Sequence, residues 1–192
     1  EFLALAYAAT SGVPGVITRF FNVVGPRQAA RYGMELPSFV RAALAGEPIR
    51  VFGDGGQTRN FSFVRDCVEA MVLLLASKEA EGEVFNIGGP EEISMLALAE
   101  RVKKLTGSSS PIVRVPYQEA YPGVAFEDMR RRVPCICKIR QATGWRPKTT
   151  IDEMIVETVR YARKAGALRP RAAYLTESGV LAPAASRLAQ NW

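Results

Sequence analysis

Val16 to Val24, VITRFFNVV, is the stretch that most restricts what this chain can fold into. It is a near-continuous run of apolar, aromatic and β-branched residues without regular polar alternation. Such a run needs cover on both faces, as a central parallel strand has. Ahead of it, Phe2 to Ala9 has helical spacing, with Phe2, Leu5 and Ala9 on one face, and Gly12 and Pro14 supply the stop. Behind it, Gly25-Pro26-Arg27 breaks the run. Helix, short turn and buried strand imply a βαβ crossover whose first strand lies outside this sequence. The first residue is Glu, and the pattern opens inside an apolar segment, so the sequence reads as a piece of something longer.

Further elements follow in the same manner. Leu36 to Leu44 has helical spacing and stops at Gly46, and Ile49 to Phe52 is a strand. That strand enters Gly53-Asp54-Gly55-Gly56, a tight turn, and then Arg59 and the alternating Asn60-Phe61-Ser62-Phe63. Asp66 is placed to cap a helix with Val68, Met71, Val72 and Leu75 inward. Glu83 to Ile87 reads as a buried strand, and Ser94 caps an amphipathic helix carrying Leu96, Leu98, Ala99, Val102 and Leu105. Pro111 to Pro116 alternates as a short strand, and Tyr117 to Met129 reads as a loop. A short helix starts at Pro134 and a last one runs from Thr150 or Asp152 through Tyr161. From about Gly166 the pattern dissolves into Ala, Pro, Arg and Ser, which predicts a flexible tail.

Charge and composition narrow the function classes. The formal charge is +6, which raises nucleic-acid binding. From Arg160 onward, however, six basic residues face only Glu177, so the body is nearly neutral and nucleic acid is not the expected partner. No apolar run approaches the roughly 20 residues that span a bilayer. Histidine is absent, which removes the commonest general base and metal ligand together. The cysteines are Cys67, Cys135 and Cys137, with no Cys-x-x-Cys, so no metal site is expected and a reducing cytoplasm suits the chain.

The remaining groups with chemistry to offer are arginines and asparagines at element ends: Arg19, Asn22, Arg27, Arg59 and Arg130 to Arg132. Ligands of parallel α/β sheets collect beyond the carboxyl ends of strands, where Asn22 and Arg27 fall, and the planar guanidinium fork suits phosphate. Asn22 fits a turn equally well, and the arginine run fits a solvated face. Phe20, Phe21, Phe52, Phe61 and Phe63 interleave with these groups, as stacking surfaces or as core. Gly53-x-Gly55 lacks a third glycine and opens no helix, so it is no dinucleotide loop, and Asp54 reads as a turn residue.

Four ordered blocks carry a resemblance: RFFNVVGPRQ, VFGDGGQTRNFSFVRDCVEAM, GEVFNIGGPEEISMLALAERV and TGWRPKTTIDEMI. Together they resemble the extended short-chain dehydrogenase/reductases, specifically the NAD-dependent nucleotide-sugar epimerases, dehydratases and decarboxylases. In character they are similar to UDP-glucose 4-epimerase-like and UDP-glucuronate decarboxylase-like members. The match runs from about Glu1 to Arg163. It implies an α/β fold: the last strands and helices of a Rossmann-like parallel sheet, plus a smaller mixed α/β substrate-binding domain. Residues 1–28 would close the Rossmann-like part. Residues 29–165 would form the substrate-binding region, with strand 83–88 returning to the sheet, and 166–192 the tail.

The same resemblance implies site roles. Phe21 would lie near the nicotinamide, and Asn22 would meet the substrate diphosphate. Leu36, Phe39, Val51 and Phe52 would line the base, Arg59 would hold ribose or phosphate, and Arg131 or Arg132 would clamp the diphosphate. The glycine-rich NAD loop and the Tyr-x-x-x-Lys pair that do the family's redox chemistry are not in this sequence. No catalytic residue is therefore expected here. The chain is expected to bind a nucleoside-diphosphate sugar, such as a UDP-sugar, weakly at best, and not to bind NAD tightly alone. The alternative is a non-catalytic assembly module that pairs with a separate N-terminal chain or with itself. One departure stands out: where relatives read Pro-Asp-Ile-Ser-Lys, this chain has Pro134-Cys135-Ile136-Cys137-Lys138, which removes a helix cap at a cost of about 1 kcal/mol.

Overall fold

The computed structural model describes residues 1–28, 34–120 and 128–164. The expected tail lies outside the described residues. In chain order the first elements are α1 (Phe2–Ser11), β1 (Ile17–Phe20), β2 (Val23–Val24), α2 (Glu35–Ala45), β3 (Ile49–Phe52), β4 (Thr58–Asn60) and β5 (Ser62–Phe63). Then come α3 (Val64–Ala76), a 3₁₀ turn (Lys78–Ala80), β6 (Val84–Ile87), β7 (Glu92–Ser94), α4 (Met95–Thr106) and β8 (Ile112–Val115). The last are α5 (Tyr117–Ala120), β9 (Arg131–Arg132), α6 (Cys137–Thr143) and α7 (Ile151–Lys164). The architecture is α/β, and all the strand pairs but one are parallel among the described residues.

VITRFFNVV forms two strands rather than one. β1 pairs in parallel with β6, Ile17 opposite Val84 and Phe20 opposite Ile87. The chain then bends at Asn22, whose φ is 41°, and resumes as β2 beside β5. Asparagine tolerates this left-handed conformation better than most side chains. Ser62 pins the bend, its hydroxyl donating to Phe21 O (2.9 Å) and its N–H to Asn22 O (3.2 Å). The cover expected on both faces is also missing from β1: among the described residues Arg19 and Phe20 are exposed and Val24 is the buried member of the run.

Two buried clusters hold the elements. In one, Leu36, Phe39 and Val40 of α2, Leu98 and Val102 of α4, and Ile151, Met154 and Ile155 of α7 pack with Ile49 and Val51 of β3. In the other, Cys67, Ala70 and Leu74 of α3 pack with Phe85 and Ile87 of β6, Ile139 of α6 and Trp145. Helix ends follow local chemistry. Ser94 Oγ accepts from Ala97 N (3.2 Å), and Thr150 and Glu153 exchange hydrogen bonds as a capping box. The segment expected as a loop from Tyr117 opens with the four-residue α5, and the helix expected from Pro134 begins at Cys137.

α3 corrects two expectations. It begins at Val64, and Asp66 sits in its first turn instead of capping it. The Asp66 carboxylate, 6% exposed, accepts from the backbone N–H groups of Lys148 (3.1 Å) and Thr149 (2.9 Å) and from the Thr149 hydroxyl (3.2 Å). The inward face is Cys67, Ala70 and Leu74, whereas Val68, Met71, Val72 and Leu75 face outward, Leu75 at 79% exposure. VRDCVEAMVLLLA is apolar nearly all round, so spacing alone could not choose a face. Small Cys67 and Ala70 let the Trp145 and Ile139 side chains approach, and that settles it.

Candidate functional site

A cleft of about 740 Å³ opens between β2, α2, β3, β4 and the segment before β9. Asn22, at its inner edge, lies just beyond the carboxyl end of β1, where parallel sheets present ligand sites. Asn22, Leu36, Phe39, Phe52, Arg59 and Arg132 all line this cleft. Phe21, Val51 and Arg131 do not lie on its wall. Val51 is wholly buried in the core, and Phe21 is half-buried with its N–H donating to Ile87 O (3.1 Å). Arg131 points to solvent and forks onto both oxygens of Glu92 (2.9 to 3.1 Å), holding that carboxyl below its ordinary range. Arg19 pairs with Glu1 (2.5 Å), and Arg27 is exposed with φ 69°.

Asn22 and Arg132 come together across 110 residues. Arg132 donates to Asn22 Oδ1 (2.7 Å), while Asn22 Nδ2 donates to Asn60 O (2.7 Å). Asn60 in turn accepts from Gly89 N (2.6 Å) and donates to the carbonyls of Gly89 (3.1 Å) and Glu91 (2.8 Å). Both ends of the Asn22 amide are thus engaged, its oxygen by Arg132 and its nitrogen by Asn60 of β4. No carboxylate pairs with Arg132 among the described residues. The result is a half-buried cation aimed along a cleft wall, with one hydrogen bond holding its orientation.

Arg59 is different. It is 2% exposed, and its guanidinium donates to Thr58 O (2.8 Å), Met129 O (2.7 Å) and Asp128 Oδ1 (2.5 Å). Asp128 Oδ2 accepts from the Tyr117 hydroxyl (3.0 Å), and that hydroxyl accepts from Gln57 Nε2 (3.0 Å), which also reaches Phe52 O (2.8 Å). Burial, followed by the hydrogen bond to the Asp128 carboxylate, pushes the Tyr117 phenol up to about 12. Tyr117 lies over Gly53, whose φ is 68° and where a Cβ would fall 2.6 Å from the ring. Asp54 is a turn residue: it accepts from Gly56 N (2.9 Å) and from Arg130 (2.6 Å), and the Arg130 guanidinium holds its carboxyl below the usual range.

Gln57, Tyr117 and Asp128 therefore line the cleft without having been singled out in the sequence. Asp128 stands in a stretch of weak periodicity, and its partner Arg59 lies 69 residues upstream. Nothing local announces such a contact. Among the described residues no group of three His, Cys, Asp or Glu side chains could hold a metal.

The parallel α/β architecture, with a cleft beyond a strand end, defines an α/β protein of Rossmann-like type. Known proteins sharpen that class. Residues 1–88 match the family model "NAD dependent epimerase/dehydratase family". A UDP-N-acetyl-alpha-D-glucosaminuronate decarboxylase of Bacillus cytotoxicus is 39% identical over 165 residues, covering 85% of this chain and 50% of that relative. UDP-glucuronic acid decarboxylase 1 of Xenopus tropicalis is 34% identical over 85% of this chain and 37% of its own length. Among solved structures, UDP-glucuronic acid 4-epimerase of Bacillus cereus, in complex with UDP-glucuronic acid and NAD, superposes with a TM-score of 0.76 at 27% identity. That match covers 86% of this chain and 50% of the epimerase. The chain belongs to the NAD-dependent epimerase/dehydratase family. It spans half or less of the length of these relatives.

Proposed function

We propose that this chain is the sugar-nucleotide-binding part of an NAD-dependent nucleotide-sugar epimerase, dehydratase or decarboxylase. The parent reaction oxidises a sugar C4 hydroxyl to a 4-keto intermediate, then epimerises, eliminates or decarboxylates. In this reading Arg132 and Asn22 hold the diphosphate. Leu36, Phe39 and Phe52 face the base, Val51 supports them from the core, and Arg59 with Asp128 shapes the ribose end. Residues 1–28 belong to the Rossmann-like part and 29–165 to the substrate-binding part. Binding the diphosphate away from the reacting carbon positions the sugar for hydride transfer and makes remote binding energy available to the chemistry. Of the groups that hold NAD in the family, this chain offers Phe21 alone. The residues present do not fit the cofactor without further chain, and the chain by itself turns nothing over. Its setting in this reading is the cytoplasm.

The observation that carries the reading is the Arg132 guanidinium, held by Asn22 on the wall of the cleft and paired with no carboxylate among the described residues. Titrating ¹⁵N-labelled chain with UDP and with uridine tests it. UDP is expected to move the Asn22 and Arg132 signals and uridine to leave them in place. Equal shifts from both ligands would remove the diphosphate from the site.

A second reading is assembly. Phe2 (91% exposed), Leu3 (83%) and Tyr7 of α1, together with Val72 and Leu75 of α3, present apolar surface to water. β1 pairs only with β6 among the described residues, so one parallel edge is open. This combination suits pairing with an N-terminal half supplied separately, or with a second copy. Sedimentation velocity decides between the readings: a concentration-independent monomer counts against self-association.

A further inference from the structure

Cys135 and Cys137 are joined by a disulfide, Cα to Cα 5.6 Å, in the segment linking β9 to α6. Cys67 is a free thiol, and the link between the other two departs from the reducing setting that the cysteine pattern suggested. Both residues are exposed, while Cys67 is buried in the α3–β6 cluster and its thiol is pushed up to about 11 by burial and by Asp66. α6, which begins at Cys137, has no side-chain cap. Instead, Cys137 N–H donates to Cys135 Sγ (3.3 Å), and Asn86 of β6 donates to Cys135 O (3.4 Å).

The segment that carries this link also carries the anion clamp. Arg132 is three residues before Cys135. Between them Pro134 lies against Gly88, where an added Cβ would fall 2.4 Å from the proline ring. Gly88 and Gly89 in turn pack on Asn60 and Phe61, and Asn60 O holds Asn22. The disulfide thus closes the 135–137 turn within the short segment that connects Arg132 to the first turn of α6.

We propose that Cys135–Cys137 is a thiol–disulfide exchange site for small-molecule thiols of the glutathione class, and that its state sets the position of Arg132. The exchange chemistry stands apart from the substrate-binding reading, whereas the significance of moving Arg132 rests on that reading. In the reducing direction a thiolate attacks one cysteine sulfur. The S–S bond breaks, a mixed disulfide forms, and the other cysteine leaves as a thiolate that takes a proton. A second thiol then attacks the mixed disulfide, releasing the second cysteine thiol and the oxidised small-molecule disulfide. Two electrons and two protons pass from two thiols to the Cys135–Cys137 bond.

The test uses the whole 192-residue chain equilibrated with oxidised glutathione. N-ethylmaleimide followed by intact mass is expected to show no addition at Cys135 or Cys137, and additions at both after mild reduction. A Cys67→Ser chain behaves the same, and the Cys135→Ser/Cys137→Ser chain takes no label there in either state. In parallel, the ¹⁵Nε signal of Arg132 shifts on reduction of the parent chain and stays fixed in the double variant. Labelling of both cysteines without reductant would overturn the exchange site. An Arg132 signal indifferent to reduction would overturn its coupling to the clamp.

Discussion

Arg132 and Arg131 are neighbours with opposite electrostatic situations. The Arg131 fork is occupied by Glu92, whereas among the described residues Arg132 has the neutral Asn22 amide and no carboxylate. A phosphate gains most from the cation that no carboxylate already neutralises. Arg132→Ala is therefore expected to weaken UDP binding by roughly 10-fold or more, matching a lost charge-assisted bond of about 1.5–3 kcal/mol. Arg131→Ala should change it little, and an NMR titration of each variant measures the difference. Asp66→Ala addresses stability instead. It leaves two part-buried backbone donors, Lys148 N and Thr149 N, without their acceptor, and should lower unfolding free energy by about 1–2 kcal/mol in a urea melt. Tyr117 predicts a pH response. Its phenol titrates near 12 when folded, above the ordinary tyrosine value near 10, so the network's contribution is complete below about 10 and is lost as pH rises through about 12. Absorbance at 295 nm should show one tyrosine ionising late, and Tyr117→Phe should remove that late step.

Among the elements, the glycine-rich connections are where backbone approach is tightest. A Cβ at Gly89 would fall 1.6 Å from Phe61 O, so Gly89→Ala must push β5 away from the turn after β6. A loss of several kcal/mol, or failure to fold, is expected in a thermal melt. α3 makes the opposite prediction: Leu75→Lys on its outward face should leave the melt within about 0.5 kcal/mol while lowering any self-association. These elements also show what the sequence made legible. α2, β3, β6 and α4 could be read because capping residues, glycine stops and alternation are local signals. The inward face of α3 could not be read, since its apolar residues surround the helix and only Trp145, about 80 residues downstream, selects Cys67 and Ala70. The Asn22 bend was hidden inside an apolar run. In the site, Asn22, Phe52 and Arg132 were legible from residue type at strand ends. Tyr117 and Asp128 were not, because long-range pairing with Gln57 and Arg59 defines them.

For the molecule as a whole, the match to the Bacillus cytotoxicus decarboxylase covers 50% of that relative, and this sequence holds no glycine-rich dinucleotide loop. The cleft wall carries Arg59, Arg132 and the rings of Phe39, Phe52 and Tyr117, while the Cys135–Cys137 pair lies off that wall. In the proposed reading the affinities for UDP and for NAD, which a complete enzyme would combine, are therefore separate in this chain. Isothermal calorimetry of the 192-residue chain with UDP and, separately, with NAD tests this most directly. UDP is expected to bind with a Kd on the order of millimolar, about −4 kcal/mol, and NAD to give no measurable heat. Tight NAD binding by this chain alone, with or without UDP, would contradict the account.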